Sequence, residues 1–214
     1  MERPDTFSGI AAPAEGLYKE SGSRFIALAF PVGGEEEIKA CLDRLRREYH
    51  DARHVCYAWR LASVADTPDG PVLDLAARWR ANDDGEPSGS AGRPILGQID
   101  AAGLCDVLVV VVRYFGGIKL GIPGLIGAYR TAAADALAHA QRVEKVAART
   151  WRVAFDYAQM PSVMEAVKAL DLSVLARDFA ESCNVVLRVR LRSEQVFLER
   201  FEKIGIFKNK IERL

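Results

Sequence analysis

The segment that most limits the fold is Asp106–Tyr114, with the sequence DVLVVVVRY. It is rich in β-branched residues, which favour extended backbone because branching at Cβ restricts the side chain in a helix. Successive side chains of a strand point to opposite faces, so the unbroken apolar run Val107–Val112 puts apolar groups on both faces. The segment therefore predicts a buried strand, and it is far too short to span a membrane.

The residues before this strand predict a mixed α/β domain. Ser23–Val32 is apolar on both faces and indicates a second buried strand, whereas apolar residues recur at helical spacing from Glu35 onward. His54–Ala62 predicts another strand. The opening to about Glu20 has no clear period, and we interpret it as an arm. Arg78–Gly92 predicts a long loop, a kind of segment that is often functional.

One helix is predicted before the buried strand Asp106–Tyr114 and another after it. Pro94 suits the first position of a helix that Gly103 ends. The glycine-rich loop Phe115–Gly124 follows the central strand, and Leu125–Ala140 then has helical spacing, with many alanines that allow close packing on a sheet.

The remainder of the chain predicts a second, smaller domain with the order β-α-β-β-α-β, which is that of a ferredoxin-like domain. We place the domains at 1–146 and 147–214. The predicted elements are strands at Arg149–Tyr157, Leu172–Phe179, Cys183–Leu191 and within Ile206–Ile211, and helices at Pro161–Leu170 and Ser193–Ile204.

Composition excludes several classes of protein. The 29 acidic and 29 basic residues balance, which disfavours a strongly basic nucleic-acid binder but leaves room for a local basic patch. The 4 cysteines are scattered without a CxxC pair, as expected for reduced thiols rather than a disulfide framework or a zinc site. No signal-peptide pattern opens the chain. We expect a cytoplasmic monomer without membrane contact.

Two segments have the composition of a ligand-binding site: NDDGEPSGSAGRP at Asn82–Pro94 and RYFGGIKLGIPG at Arg113–Gly124. Both are glycine-rich loops that lead into a predicted helix, where free backbone N–H groups attract anions. Arg93, Arg113 and Lys119 would add positive charge. The alternative is structural, since glycines also make tight turns and the arginines can pair with neighbouring carboxylates; neither loop matches a phosphate-binding fingerprint.

The strings DDGEPSGSAGRPIL and VVVVRYFGGIKLG resemble the signature stretches of the YigZ/IMPACT family, and the similarity extends over most of residues 15–145. The resemblance implies an α+β protein: an N-terminal two-layer α/β sandwich like domain IV of elongation factor G (ribosomal protein S5 domain 2-like), followed by a C-terminal ferredoxin-like βαββαβ domain. It also implies a role linked to translation.

The second loop departs from the family pattern. The family commonly continues G-T-G-G-L-V-R-A-Y, whereas here Ile122, Pro123 and Gly127 replace the hydroxyl, one glycine and the basic side chain. Pro123 removes a backbone donor, which weakens any phosphate-binding role for this helix start. Ser90 stands in place of the family's threonine and keeps a hydroxyl.

Candidate catalysts are weaker than the two loops. His54 and Cys56 share a face of one strand and would make a thiolate–imidazole pair, but a cysteine on a buried strand is more often inert. Asp83, Asp84 and Glu86 could ligate a divalent cation, yet Asp-Gly is a common turn and the spacing is not that of an EF-hand. The proline-dipeptidase label of some relatives gains no support from the sequence.

The aromatic side chains allow two interpretations. Tyr114 and Phe115 leave the central strand near Lys119, and Tyr129 follows in the next helix. Such groups stack on bases beside phosphate contacts. Alternatively they anchor the loop to the core, which we favour.

Three functions remain open. The first is a non-enzymatic regulatory protein linked to translation or its stress regulation, which contacts RNA, the ribosome or a translation factor and needs no cofactor. The second is an enzyme acting on a small anionic substrate between the same loops, which predicts a concave pocket that joins them. The third is a pure protein-interaction module. The predicted binding residues are Asp84, Glu86, Ser88, Ser90, Arg93, Arg113, Tyr114, Gly116, Gly117 and Lys119.

Overall fold

The structure is a computed structural model that describes residues 5–179 and 183–214. The chain divides into two compact units. The first, here called the N-terminal unit, comprises Phe7–Ser63 and Asp74–Lys145. The second, the C-terminal unit, comprises Val146–Leu214 together with Val64–Leu73 and the described residues up to Thr6. The predicted division into 1–146 and 147–214 stays a prediction.

Seven strands and three helices precede residue 147 in the described part of the chain. They are β1 (Thr6–Ile10), β2 (Ala14–Glu20), β3 (Ser23–Pro31), α1 (Glu35–Glu48), β4 (His54–Thr67), β5 (Gly70–Asn82), α2 (Gly92–Ala101), β6 (Val107–Tyr114), α3 (Gly121–His139) and β7 (Arg142–Val146). β1 and β7 form a two-stranded sheet, and the five other strands form a sheet in the order β2-β3-β6-β4-β5. In this larger sheet β3 is antiparallel to β2 and β6, and β4 is antiparallel to β6.

The central strand β6 determines how this sheet is covered. Val107, Val109 and Val111 pack in the core that α2 and α3 make with one face. Leu108 and its alternate neighbours pack with α1 on the other face. All apolar residues of Val107–Val112 are fully buried. Helices thus lie on both faces of the sheet, and α1 adds a third layer to the expected sandwich.

The predicted arm is wrong in its described part, residues 5–20. Those residues form β1 and the edge strand β2. The pattern of β2 hid it, because its half-buried positions include Ala14 and Gly16 whereas Leu17 is 50% exposed. A small residue at Gly16 is required, since a Cβ there would lie 2.3 Å from the backbone nitrogen of Ala136 in α3.

The predicted loop Arg78–Gly92 is also too long. Its first part belongs to β5, which ends at Asn82, and α2 begins at Gly92 rather than at Pro94. β5 is an edge strand whose residues 75–80 are exposed, so it shows no apolar alternation. The irregular segment that remains is residues 83–91.

The C-terminal unit has the predicted element order. Its elements are β8 (Ala148–Phe155), α4 (Met160–Ala169), β9 (Ser173–Asp178), β10 (Cys183–Arg190), α5 (Glu194–Lys203) and β11 (Ile211–Arg213). The sheet order is β11-β8-β10-β9 with antiparallel pairs, as in a ferredoxin-like domain. In β10, Val185, Leu187 and Val189 are buried and alternate with less buried residues.

The close approach of α3 to the sheet gives a testable prediction. Gly16→Ala should lower the free energy of unfolding by about 1–3 kcal/mol, because backbone atoms of α3 cannot move aside as a side chain can. Urea unfolding would measure the change. The matched control is Gly97→Ala inside α2, where nothing lies within 4 Å of the added methyl group; it should stabilise by about 0.5–1 kcal/mol. Equal effects of the two substitutions would contradict the packing described here.

Candidate binding site between two loops

A buried ion pair joins the two glycine-rich segments. Arg113, near the end of β6, donates from Nη1 to Oε1 of Glu86 at 2.5 Å. Both side chains are less than 10% exposed. Tyr129 of α3 donates its hydroxyl to the same carboxylate oxygen at 2.9 Å. One carboxylate from the first loop therefore connects the central strand and the helix that follows the second loop.

The sheet register explains why this pair forms. Arg113 lies directly opposite Phe25 on β3 and His54 on β4, so the three side chains share one face. The guanidinium lies 5.4 Å from the ring centroid of Phe25. Nε2 of His54 lies 3.8 Å from Oε1 of Glu86. The charge of Arg113 is thus enclosed by the aromatic ring of Phe25 from β3 and the carboxylate of Glu86 from the first loop.

Asp83 organises the first loop from within. Its Oδ1 accepts hydrogen bonds from the backbone N–H groups of Ala91 and Gly92 at 3.0 and 2.8 Å, and its Oδ2 accepts one from Gly89 at 2.8 Å. Asp84 has a positive φ of 44° and accepts the N–H of Val55 at 2.7 Å. These contacts favour the turn interpretation of the carboxylates over the cation interpretation. Within residues 5–179 and 183–214, no three His, Cys, Asp or Glu side chains are grouped as metal ligands would be.

Two predicted binding residues of the first loop have other surroundings. Ser90 is fully buried, and its hydroxyl donates to the carbonyl oxygen of Pro87 at 2.6 Å. Arg93 lies over the ring of Trp79, 4.4 Å from its centroid, and faces a separate cavity with Arg130. Ser88 is exposed at the loop. Ser90 therefore supports the loop, and Arg93 belongs to a different surface.

Tyr114 and Gly116 also have structural contacts. The Tyr114 hydroxyl donates to Asp51 at 2.8 Å, and Arg24 covers the ring at 4.7 Å. A Cβ on Gly116 would overlap the backbone of Gly22. The two backbone segments can therefore approach each other only because both residues are glycine. Gly117 has a φ of 91°, which favours glycine.

A cavity of about 560 Å³ lies between the two loops in the N-terminal unit. Three cationic side chains and one carboxylate are in its wall, beside apolar groups from the second loop and the start of α3. The lining residues are Arg53, His54, Glu86, Pro87, Arg113, Phe115, Lys119, Leu120, Gly121, Ile122 and Leu125. Of the predicted binding residues, Glu86, Arg113 and Lys119 meet here.

The buried wall behind the cavity does not provide a nucleophile. Cys56 is fully buried, and its Sγ donates to the carbonyl oxygen of Asp83 at 3.0 Å. Burial raises the pKa of the Cys56 thiol, and burial likewise raises the pKa of the Tyr129 phenol 3.3 Å away. Both groups therefore stay neutral near pH 7. Nδ1 of His54 lies 2.7 Å from the carbonyl oxygen of Asp84, whereas the Cys56 thiol stays protonated and donates to Asp83, so the two side chains do not form a thiolate–imidazole pair.

Comparison with known proteins identifies the family. The family model of the Impact N-terminal domain matches residues 21–137, more than half of the chain. The chain belongs to the IMPACT family. The IMPACT family member YigZ of Escherichia coli is 34% identical over 186 residues, 87% of this chain and 86% of that protein. An IMPACT family member of Thermus thermophilus is 47% identical over 120 residues, 56% of this chain and 58% of that one.

A solved structure confirms the α+β fold expected of an IMPACT-family chain. The crystal structure of a hypothetical protein matches with a TM-score of 0.70 at 28% identity, covering 99% of this chain and 97% of that chain. All residues that line the cavity fall within the range matched by the Impact N-terminal domain. No described helix is both long and apolar enough to cross a membrane.

Sequence reasoning did not name Arg53, Leu120 or Leu125 as binding residues, and it did not count His54 among them. Arg53, His54 and Leu125 lie outside the two glycine-rich strings, and Leu120 is an apolar residue within the second. The signal that could have found Arg53 and His54 is strand register, since β4 and β6 are neighbours and His54 is opposite Arg113. Register is a tertiary property that a single strand pattern does not contain.

Thiol labelling tests the inert role of Cys56. At pH 8, iodoacetamide should label Cys41, which is partly exposed, and leave the buried thiols of Cys56, Cys105 and Cys183 unmodified in the folded protein. The thiolate is the reactive form, and burial moves the pKa of Cys56 upward, away from the working pH. Mass spectrometry would locate the label, with urea-unfolded protein as the control that labels all 4. Rapid labelling of Cys56 in the folded state would contradict this assignment.

Proposed function

We propose that this IMPACT-family chain is a non-enzymatic binding protein that acts in translation or its stress regulation in the cytoplasm. It contacts RNA, the ribosome or a translation factor through the surface formed by the loops at residues 82–94 and 113–124. The observation that carries the proposal is the cavity itself: two segments far apart in sequence are joined by Glu86 and Arg113 into one concave surface.

The charges of this surface favour a negatively charged partner. Arg53, Arg113 and Lys119 line the cavity, against the single carboxylate of Glu86. Arg53 and Lys119 are exposed. Exposed cations attract a polyanion at long range and release its counterions on contact. This local excess of positive charge exists although the whole chain has a formal net charge of zero.

The rim adds an apolar component. Phe115, Ile118 and Ile122 are 50%, 60% and 53% exposed. Adjacent large apolar side chains on a surface are typical of contact sites, because their transfer out of water is favourable. A surface that combines such side chains with cations suits a partner that presents both negative charges and flat aromatic groups. RNA presents phosphates and bases in this way.

Ribosome binding gives the direct test. Purified protein should co-sediment with ribosomes and with total RNA at low salt, and the affinity should fall steeply as salt rises. Arg53→Ala and Lys119→Ala should each weaken binding and reduce the slope of log affinity against log salt by about 0.7–0.9, the value for one lost phosphate contact. The matched control is Lys39→Ala, an exposed lysine of α1 on the other face of the sheet.

Each outcome is informative. Equal loss in the Lys39 control would show general charge attraction rather than a site. Binding that ignores salt would contradict phosphate contact and would favour a protein partner, especially if it survives nuclease. No sedimentation with ribosomes or RNA under any condition would refute the proposed function.

The cavity also favours a second candidate, an enzyme that acts on a small anionic substrate. A volume of about 560 Å³ suits a small molecule, and its wall includes His54, a residue type that enzymes often use for proton transfer. Under this alternative, His54→Gln abolishes turnover of the substrate but leaves ribosome binding intact. Under the first candidate, His54→Gln has no activity to remove.

A further inference from the structure

Arg113 has hydrogen-bonding capacity that the protein itself does not use. A guanidinium carries five N–H donors on three nitrogens. Within the described residues, only Nη1 has an acceptor, Oε1 of Glu86, and the buried Nε has none. Arg113 is 6% exposed and lines the cavity. Such a side chain favours a further oxygen acceptor, because unpaired buried donors are costly.

The charge of the cavity indicates which acceptor it favours. Arg53, Arg113 and Lys119 exceed the charge of Glu86 by two. A phosphate monoester carries about −1.5 to −2 at pH 7 and offers three acceptor oxygens. A carboxylate carries only one negative charge and would leave an excess of positive charge. The phosphate is therefore the better match in both charge and number of acceptors.

Phe115 indicates what is attached to the phosphate. The Arg113 guanidinium lies 5.6 Å from the centroid of the Phe115 ring, and the ring remains 50% exposed. Leu120, Ile122 and Leu125 continue the apolar wall beside it. A half-exposed phenylalanine beside cations is the arrangement on which nucleic-acid bases stack, whatever the base.

The size of the cavity limits the ligand. Its volume of about 560 Å³ lies within the range of small-ligand sites, which run from about 300 to 1,000 Å³. That space holds one nucleotide, whereas a duplex would need an extended groove.

We propose that the cavity is a subsite for a nucleoside 5′-monophosphate group, with the phosphate on Arg53, Arg113 and Lys119 and the base against Phe115. This inference rests on the proposed function, since it names the group that the same surface recognises. Two sources carry this chemistry, a free mononucleotide and the 5′-phosphorylated end of a single-stranded RNA.

Binding measurements on the whole protein test the proposal. Calorimetry would compare AMP with adenosine, which lacks the phosphate. Fluorescence anisotropy would compare hexa-adenylate RNA carrying a 5′-phosphate with the same RNA carrying a 5′-hydroxyl. The variants are Phe115→Ala, Lys119→Ala and the control Lys39→Ala. Both altered cavity residues are exposed, so the variants should remain folded, which thermal unfolding would verify.

The phosphorylated probes should bind at least about tenfold more tightly than their unphosphorylated counterparts, and Phe115→Ala and Lys119→Ala should each weaken them about tenfold. Lys39→Ala should change nothing. If the phosphorylated RNA binds more tightly than AMP, the source is an RNA end. If AMP binds more tightly than adenosine but the RNA is indifferent to its 5′-phosphate, the source is a free nucleotide.

Indifference of both probe pairs to the phosphate, full binding by folded Phe115→Ala or Lys119→Ala, or no binding of AMP and phosphorylated RNA would overturn the subsite. Those results leave the proposed function standing if ribosome co-sedimentation persists, since that assay needs no nucleotide in the cavity. Conversely, nucleotide binding without any co-sedimentation with ribosomes or RNA would refute the proposed function and leave the subsite standing.

Discussion

The candidate site depends on one interaction, the buried ion pair between Glu86 and Arg113. Both side chains are less than 10% exposed, so each charge is tolerated only because the other is present. Removing one partner of such a pair typically costs about 3–5 kcal/mol, because an uncompensated charge remains inside. The hydroxyl of Tyr129 adds a second donor to the same carboxylate oxygen. The first loop therefore has one preferred position relative to the central strand and α3.

The rest of the N-terminal unit makes that pair possible. β6 is covered on both faces, which fixes Arg113 at the end of the most buried strand. Asp83 gathers three backbone N–H groups and gives the first loop a defined shape before Glu86 reaches the sheet. Gly116 allows the backbone of the second loop to pack directly on the backbone of Gly22. The cavity lies between the two loops that these contacts position. Its charge is that of the side chains in its wall, Arg53, Arg113, Lys119 and Glu86.

The fold was predictable where burial is strong. β6, α1 and the order of the ferredoxin-like elements follow from apolar periodicity, because each packs a continuous face. The edge strand β2 was missed because its inward positions are small, and the exposed part of β5 gave no alternation. Edge strands are held mainly by backbone hydrogen bonds to one neighbour and bury few large side chains. Their sequences therefore show little alternation of apolar and polar residues.

The site was predictable only in part. Glycine-rich composition correctly drew attention to both loops, and Glu86, Arg113 and Lys119 do line one cavity. Composition cannot tell which polar residues face inward, and so Ser90 and Tyr114 were grouped with them although their hydroxyls are used within the fold. Arg53 joins the site through the pairing of β4 with β6, which only the assembled sheet provides.

The central claim is that Glu86 and Arg113 act as a unit that holds the two loops together. A double-mutant cycle tests it most directly, with Glu86→Gln, Arg113→Met and the double variant compared by urea unfolding of the whole chain. The account predicts that the double variant loses less free energy of unfolding than the sum of the single variants, by at least about 1 kcal/mol. Single effects that add to within about 0.5 kcal/mol would show that the two side chains are independent, and would contradict the account.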